Sequence, residues 1–350
     1  MLSIIINLIV FAIILTVIVG VHEFGHFIFA KITGVYVYEF AIGMGPKLWS
    51  KQYGETIYSL RAIPIGGFCQ LAGEDLDEDD AKKVPKNKRL QNKSAWQRFL
   101  IMVFGPMNNF ILAVLILLVM AFIWGGTTMD PVITDVAPES AASSADLRAG
   151  DRVLEINRHK ISTSDDLGLY LAIAGGKRTT FKVERKDGSI DTVRVKPKKV
   201  ESDGKVGYVY GITLEKQKTT GFINAFVYTY KKTISIFKQM FITVGYLFTG
   251  RISLNQLSGP VGIYSVVGQT RTSGLANILY LMAFLSINVG FINLLPIPAF
   301  DGGHILFIII ELIKGSPVNP ELENKIHTVF LILLLILMLV ITFNDILRLF

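Results

Sequence analysis

Residues 4–26 read IIINLIVFAIILTVIVGVHEFGH, an apolar run that ends in an HExxH pattern at 22–26. On a helix, the two histidines lie one turn apart on the same face, and the glutamate between them can act on a metal-bound water. Zinc is the usual metal for this arrangement. Because ionisable side chains are costly inside a bilayer unless they have a role, the run predicts a hydrolytic zinc site within the membrane.

The overall composition is typical of a membrane protein. Of the 350 residues, 51% are hydrophobic and only 18% are charged, whereas about a quarter is usual in soluble proteins. The net charge of +7 is accounted for by lysines in loops and at membrane surfaces. The sequence has no nucleic-acid-binding motif, so nucleic acid is not expected as a partner. The single cysteine, Cys69, excludes an intramolecular disulfide and is expected to be a small structural residue.

Four segments approach the roughly 20 residues that a helix needs to cross a bilayer. They are expected at about 2–24 (with the helix continuing to residue 33), 100–124, 275–296 and 328–347. The third is expected to be interrupted by Asn288, Asn293, Pro296 and Pro298. The first lacks a basic start and a small-residue cleavage site, so we expect a retained helix and not a signal peptide.

The charged flanks of the first span predict its orientation. No lysine or arginine precedes it, whereas the loop from Lys31 to Arg98 is rich in lysine. The positive-inside rule then places the N-terminus outside and this loop in the cytoplasm.

Residues 36–73 do not have the pattern of an ordinary loop. Short strands are predicted at 36–38, 55–60 and 67–71, separated by glycines and prolines. A hairpin that dips toward the membrane would offer a strand edge to an extended substrate. A plain cytoplasmic β-meander fits the same pattern.

The region after the second span predicts an inserted α+β domain. Strands are expected at 132–136, 151–156, 179–185 and 191–195, and a helix is expected at 165–174. The segment LRAGDRVLEIN (147–157) resembles the signature of PDZ domains, which bind extended peptides by strand addition. A steric plug or size filter without a ligand is the alternative.

Residues 221–250 are apolar and aromatic but contain Lys231, Lys232 and Lys238. An amphipathic helix at the membrane interface is expected there, with a further membrane span as the alternative.

A third metal ligand is needed, because catalytic zinc sites usually use three protein ligands and keep one position open. His159 is expected at the surface of the insert, His327 at the membrane interface, and His304 is a candidate supporting residue. Asp301 is the better ligand, since it ends an apolar span within the motif NLLPIPAFDGG at 293–303. The prolines break the helix and the glycines allow close backbone approach. The first and third spans run in the same direction, so the histidines and Asp301 can reach similar depth.

The motifs HEFGH and NLLPIPAFDGG and the PDZ-like insert together resemble the site-2 protease family of intramembrane zinc metalloproteases, in particular its bacterial regulator of sigma-E protease type. The segments PIGGF (64–68), GPMNN (105–109) and GPVGI (259–263) are also similar to family segments. Phe300 departs from the pattern, which more often has leucine there. The single PDZ-like insert departs as well, since some relatives carry two.

The resemblance implies Zn²⁺ as cofactor, with His22, His26 and Asp301 as ligands and Glu23 as the base that activates a zinc-bound water. It also implies that Asn293, and less directly Asn288, hold the substrate backbone or the oxyanion. Either amide could serve helix packing instead.

A helical substrate must unwind before it is cut. Gly43 and Gly45 in the hairpin, and Phe68 in the strand after it, are expected to clamp the extended chain.

These expectations combine into an α-helical polytopic membrane protein of about four transmembrane helices, with a membrane-associated β-hairpin region and an inserted α+β PDZ-like domain. The expected organisation is transmembrane helix 1 at 1–33, the β region and charged linker at 34–98, helix 2 at 99–125, the PDZ-like domain at 126–200, a post-PDZ region with an interfacial helix at 201–274, helix 3 at 275–303, and a loop with helix 4 at 304–350.

The resemblance implies membrane-spanning substrates, such as trimmed anti-sigma factors or remnant signal peptides, and a candidate peptide ligand for the PDZ-like domain. The expected location is the plasma (inner) membrane, with the N-terminus and the PDZ-like domain outside and the active site toward the cytoplasm. A non-catalytic PDZ membrane scaffold and a transporter are the alternatives. The intact Glu23 argues against the first, and the absence of visible internal repeats argues against the second.

Overall fold

The computed structural model describes residues 2–74, 84–202, 205–214, 216–250 and 257–348. The chain divides into two compact units. The first unit comprises Met1–Leu117 and Ser253–Phe350 and contains the HExxH and NLLPIPAFDGG motifs. The second unit comprises Leu118–Ile252 and contains the insert.

The helices of the described residues are, in chain order, α1 (Leu2–Ile32), α2 (Ala95–Trp124), α3 (Ser164–Ala174), α4 (Phe222–Phe248), α5 (Pro260–Thr272), α6 (Leu275–Leu294), α7 (Asp301–Lys314) and α8 (Pro320–Leu347). Four of them, α1, α2, α6 and α8, are long and apolar enough to cross a membrane. For the described part of the chain, this confirms the expected four spans. The helix α4 is not among them.

The third span differs from its prediction. Asn288 does not interrupt α6, which continues to Leu294, and its side-chain amide donates to the Phe284 carbonyl of the same helix at 2.7 Å. The helix ends at Leu294, and Leu295 is extended, as expected for a residue that precedes a proline.

The region after Asp301 also differs from the predicted loop. Residues 301–314 form α7, which begins at Asp301 itself. The last helix begins at Pro320 and not near residue 328, because Asn319 caps it by accepting from the Glu321 amide at 2.9 Å. The charged residues of its first turns end the apolar run but do not end the helix. The helix α5 was likewise not predicted.

The β region forms two long strands, β1 (Val37–Tyr53) and β2 (Thr56–Leu71), so the prediction of three short strands was wrong in extent. Ile42 pairs with both Leu60 and Gly67, which shows that β2 folds around the first segment of β1 and pairs with it on both sides. Gly43 allows this bend, since its φ is +84° and a Cβ there would lie 2.7 Å from the Ile63 carbonyl oxygen.

The strand β2 also follows α1. The Thr16 hydroxyl donates to the Pro64 carbonyl at 2.6 Å, and the Cys69 amide donates to the Glu23 carboxylate at 3.0 Å. Residues 64–69 therefore lie beside the second half of α1, from mid-helix to the HExxH motif.

The second unit contains the strands β3 (Gly126–Thr127), β4 (Ile133–Val136), β5 (Arg152–Ile156), β6 (His159–Lys160), β7 (Thr179–Glu184), β8 (Ile190–Val195), β9 (Lys198–Ser202), β10 (Lys205–Val209), β11 (Ile212–Leu214) and β12 (Lys218–Thr219). A four-stranded sheet has the order β6-β5-β7-β8. Thr163 and Asp166 form a capping box at the start of α3.

The core of this unit extends beyond the predicted boundary at residue 200. The central side chains Val153 and Phe181 are fully buried, and Tyr210 packs in the same core. The strand β11 pairs with β4. The compact unit therefore includes residues after 200 that the sequence pattern did not assign to it.

Candidate active site

The HExxH motif places His22 and His26 on the same face of α1, where both are buried. Their Nε2 atoms lie 3.2 Å apart. Asp301 meets both, with Oδ2 at 3.1 Å from Nε2 of His22 and Oδ1 at 3.5 Å from Nε2 of His26. We call these three residues the metal cluster. The structure thus brings together three residues that the sequence places almost at opposite ends.

Asp301 reaches this position through the loop between α6 and α7. Its two following glycines let the first turn of α7 pack against the end of α6, since a Cβ on Gly302 would meet the Leu294 carbonyl oxygen at 2.6 Å. A Cβ on Gly303 would lie 2.7 Å from Cα of Pro298. In the DGG sequence, the aspartate therefore supplies the carboxylate, and the two glycines allow the close packing that brings it to the histidines.

The helix α2 packs closely against both α1 and α6. A Cβ on Gly25 would lie 2.9 Å from Cα of Gly105, so α1 and α2 touch backbone to backbone. On its other side, α2 contacts α6, because a Cβ on Gly290 would lie 2.9 Å from the Pro106 carbonyl oxygen. Small residues commonly permit such close helix contacts in membranes. These close contacts hold both α1 and α6 against α2.

The second ring nitrogen of each histidine faces a group on α2. Nδ1 of His26 lies 2.8 Å from the Ile101 carbonyl oxygen, which can only accept, so the proton sits on Nδ1 and the lone pair on Nε2. Nδ1 of His22 lies 3.4 Å from the side-chain amide of Asn109. Metal-binding histidines usually have such a partner, which fixes the ring and its tautomer.

Asn109 is a functional candidate that sequence reasoning missed. Its side chain is fully buried, and its Oδ1 has no hydrogen-bond partner. Rotating the amide by 180°, an assignment that the hydrogen-bond network decides, would let Oδ1 accept from Nδ1–H of His22. The signal was present as GPMNN at 105–109, but no pattern in the sequence connects it to a histidine on another helix.

The metal cluster fits Zn²⁺. Ligand atoms about 2.1 Å from a tetrahedral zinc lie about 3.4 Å from one another, close to the three separations observed. Oδ2 of Asp301 is also buried without a hydrogen-bond partner, as expected for an atom that binds a metal ion. The cluster opens onto a cavity of about 290 Å³, which leaves room for water and substrate.

Glu23 lines the same cavity and accepts the hydrogen bond from the Cys69 amide. Burial raises the pKa of the Cys69 thiol, and the nearby Glu23 carboxylate raises it further. The thiol is therefore uncharged, in keeping with the expected structural role.

The predicted substrate-binding residues separate into two groups. Asn293 lines the cavity beside the metal cluster, and Phe68 precedes Cys69 on β2. Asn288 bonds within α6, and Gly43 and Gly45 lie in the bend of β1, where Cβ atoms would approach Ile63. Neither these three residues nor Phe68 are among the described residues that line the cavity.

Comparison with known proteins identifies the family of the chain. The family model described as Peptidase family M50 matches residues 10–337. A protein of Staphylococcus aureus (strain MSSA476) is 31% identical over 99% of this chain and 100% of its own length. The Regulator of sigma-W protease RasP of Bacillus subtilis (strain 168) and the Zinc metalloprotease RasP of Oceanobacillus iheyensis are each 31% identical, over 98% of this chain and 99% of their own lengths.

These matches decide between the alternatives that the sequence left open. The relatives carry protease names and match along nearly the whole chain, so the scaffold and the transporter are set aside and Zn²⁺ is the cofactor. With its four apolar helices, the chain belongs to Peptidase family M50 (site-2 proteases) and is a multi-pass membrane zinc metalloprotease.

Proposed function

We propose that this protein hydrolyses peptide bonds within or near transmembrane segments of other membrane proteins. His22, His26 and Asp301 would hold the zinc, and Glu23 would be the catalytic base. The observation that carries the proposal is the position of the metal cluster. Two of its members lie on α1, an apolar helix long enough to span a membrane, and the cluster opens onto a cavity.

Zinc, when bound, supplies a Lewis acid that polarises the scissile carbonyl and acidifies water. Glu23 accepts the proton of the attacking water on its carboxylate and later donates it to the leaving amine nitrogen. The Cys69 amide holds one carboxylate oxygen of Glu23. The Asn293 amide is the candidate donor to the oxygen that becomes negative during attack.

The last segment of β2 is the candidate docking edge for the substrate. Residues 67–71 pair with β1 on one side, and the Cys69 amide points away from that pairing, toward Glu23. An extended peptide laid along this edge would pass the base with its backbone groups paired. Phe68 adjoins this edge, which supports its expected role in holding the unwound chain.

The contacts of the hairpin favour a membrane-associated element over a cytoplasmic meander. Pro64 bonds to Thr16 in the middle of α1. Around the bend, apolar side chains are exposed, as expected of a surface that faces lipid (Ile42, Met44, Leu48, Ile63 and Ile65). Gly43 and Gly45 would then act by shaping this bend and not by direct contact with the cavity.

The lysines of α4 support an interfacial position for this helix. Lys231, Lys232 and Lys238 pair with three aspartates of the second unit (Asp130, Asp165 and Asp166). Large apolar side chains elsewhere on the helix are exposed (Phe222, Phe226, Tyr230, Ile234 and Phe241). A helix with these properties would lie in the membrane surface.

We propose that the second unit is a PDZ-like domain outside the cytoplasm that binds peptide or excludes untrimmed substrates by size. The LRAGDRVLEIN segment and the agreement of its strands with the predicted pattern support this assignment. One relative is named Regulator of sigma-W protease RasP, which favours membrane-spanning regulators of sigma factors as substrates.

The test uses the full-length protein in detergent, with a single-span model substrate and zinc measured in parallel. Wild type should cleave, and Glu23→Gln should keep its zinc but lose cleavage by a factor of about 10² to 10⁴. Equal cleavage by both proteins would contradict the role of Glu23. Loss of zinc from Glu23→Gln would mean that Glu23 acts as a ligand and not as the base.

A further inference from the structure

The loop that carries Asp301 contains an unusual backbone conformation. Ala299, two residues before Asp301, has a φ of +95°. Side chains with a Cβ rarely adopt this region, and it persists only where the surroundings hold it. The conformation of Ala299 sets the direction of the chain that leads to Asp301, so the contact that holds Ala299 also affects where Asp301 points.

The contact comes from α8. The backbone amide of Ala299 donates to Nδ1 of His327 at 3.2 Å, across 28 residues of sequence. The His327 side chain is only 14% exposed, whereas the sequence predicted an interfacial position. Its ring stacks on His304, with centroids 4.1 Å apart, and its Nε2 lies 3.9 Å from Oε1 of Glu323.

These residues could be taken for a second metal site. One ligand atom from each of His304, Glu323 and His327 lies within 4.8 Å of the others. His304 lies on α7 and the other two lie on α8. We call this set the α8 cluster. Two observations oppose metal binding. Because Nδ1 of His327 accepts from an amide, the neutral ring carries its proton on Nε2 and has no lone pair left for a metal.

The second observation is the stacking itself. The two imidazole rings lie at only 20° to each other. Lone pairs lie in the plane of an imidazole ring, so those of stacked rings run side by side and do not converge on one ion. The stacked histidines therefore support Ala299 through one hydrogen bond and are not arranged as a ligand set.

We infer that His327 is a positioning residue for the zinc site, holding Ala299 in its left-handed conformation so that Asp301 faces His22 and His26. This inference rests on the proposed function, since it takes Asp301 as a zinc ligand. The ring of His327 supplies the acceptor, and the stack on His304 fixes the orientation of that ring. Loss of a contact that orients a metal ligand typically changes metal affinity by about 10- to 100-fold, and we expect a similar effect for this contact two residues before Asp301.

The test compares two substitutions of the same shape in the full-length protein. In His327→Asn, the carbonyl oxygen can occupy the position of Nδ1 and accept from Ala299. In His327→Leu, a methyl group stands there instead. Both lose the stack on His304, so only the acceptor distinguishes them. The readout is the apparent zinc dissociation constant from competition with a chelator, with kcat and KM measured on the zinc-saturated proteins.

We expect His327→Leu to weaken zinc binding by about 10-fold or more and His327→Asn to stay within about threefold of wild type. At saturating zinc, kcat should fall in His327→Leu while KM changes little. Equal zinc affinity of the two variants, whether weakened or not, would overturn the inference. If His327→Leu does not accumulate, His327→Gln replaces it, because its carbonyl lies one carbon farther from the backbone and misses the Nδ1 position.

Asp301→Asn separates this inference from the proposed function. If Asp301→Asn retains wild-type zinc affinity, the proposed ligand set is wrong. If it loses zinc while the two His327 variants behave alike, the ligand set stands and only the positioning role of His327 fails.

Discussion

The metal cluster and the α8 cluster contain the same kinds of side chain, two histidines and one carboxylate, each with a ligand atom within 4.8 Å of the others. They differ in how the ring nitrogens are used. In the metal cluster, the Nδ1 atoms face Ile101 and Asn109, which leaves both Nε2 atoms to meet Asp301. In the α8 cluster, an amide occupies Nδ1 of His327. Spacing alone therefore does not define a metal site, because the partners of the second nitrogen decide whether lone pairs converge.

The largest expected effect comes from removing a histidine of the metal cluster, whereas a substitution in the α8 cluster should not change the zinc content. His26→Ala should reduce zinc from about one per chain to almost none and reduce cleavage by more than about a thousandfold. Glu323→Gln should leave the zinc content unchanged, since that carboxylate does not serve a metal. Elemental analysis of the purified proteins measures the zinc content of both variants, and the cleavage assay on the model substrate measures activity. A second zinc in wild type that disappears in Glu323→Gln would break the comparison.

The next effect tests the space around the His26 ring. In Gly105→Ala, the added methyl group would lie within 2.9 Å of the ring carbon Cδ2, so the ring or the helix must move. We expect a loss of about 1 to 3 kcal/mol in stability together with weaker zinc binding. Thermal unfolding in detergent, with and without zinc, measures it. The matched control is Gly20→Ala on α1, where a Cβ meets nothing within 4 Å; destabilisation of that variant would show that any added methyl is harmful.

A smaller effect is expected from the partner of His22. Asn109→Ala should weaken zinc binding by about 10- to 100-fold, because the ring loses the group that fixes its tautomer. Asn109→Asp should retain affinity, since a carboxylate can accept from Nδ1–H. The neighbouring Asn108 bonds to the Val21 carbonyl at 3.3 Å and provides the control. If Asn108→Ala and Asn109→Ala weaken zinc equally, the contact to His22 has no specific role.

The smallest effect concerns Glu39, a buried carboxylate that protein donors satisfy. Burial acts to raise its pKa, but hydrogen bonds from Ser59, Lys47 and Arg61 outweigh this and hold the pKa below its usual value of 4.5. A carboxyl whose pKa is lowered by folding stabilises the fold above its unfolded pKa and loses that contribution as pH falls through the folded value.

Glu39→Gln should therefore lower stability by about 1 to 2 kcal/mol at pH 7, and the difference from wild type should shrink below about pH 4. Zinc content should not change. Thermal unfolding across this pH range provides the measurement. A difference that is the same at pH 7 and pH 4 would show that charge on Glu39 does not contribute.

The sequence predicted the elements whose signals are local. HExxH fixes its own geometry because helical spacing is constant, and the apolar lengths of four helices are visible directly. In the insert, alternating patterns placed the helix α3 and the strand β7 within a residue or two of their observed bounds. Asp301 was found because an aspartate after an apolar span is unusual.

The remaining features depend on contacts between distant segments. The bends in β1 and β2 are set by pairing on both sides of residues 39–42, which no single stretch of sequence encodes. The helix α8 was predicted to begin late because its first turns are charged. The contacts of Asn109 with His22 and of His327 with Ala299 join residues on different elements. No fixed separation in sequence links the two residues of either pair, so neither contact could be predicted from the sequence.

The distance in sequence between the parts of the metal cluster has a consequence for biosynthesis. His22 and His26 emerge from the ribosome early, whereas Asp301 follows only after both intervening spans and the insert have been made. At typical synthesis rates, this interval is on the order of tens of seconds. During that time, the growing chain displays two histidines without their carboxylate partner. With Asp301 as the proposed third zinc ligand, the nascent chain would lack a complete metal site until nearly all of it has been translated.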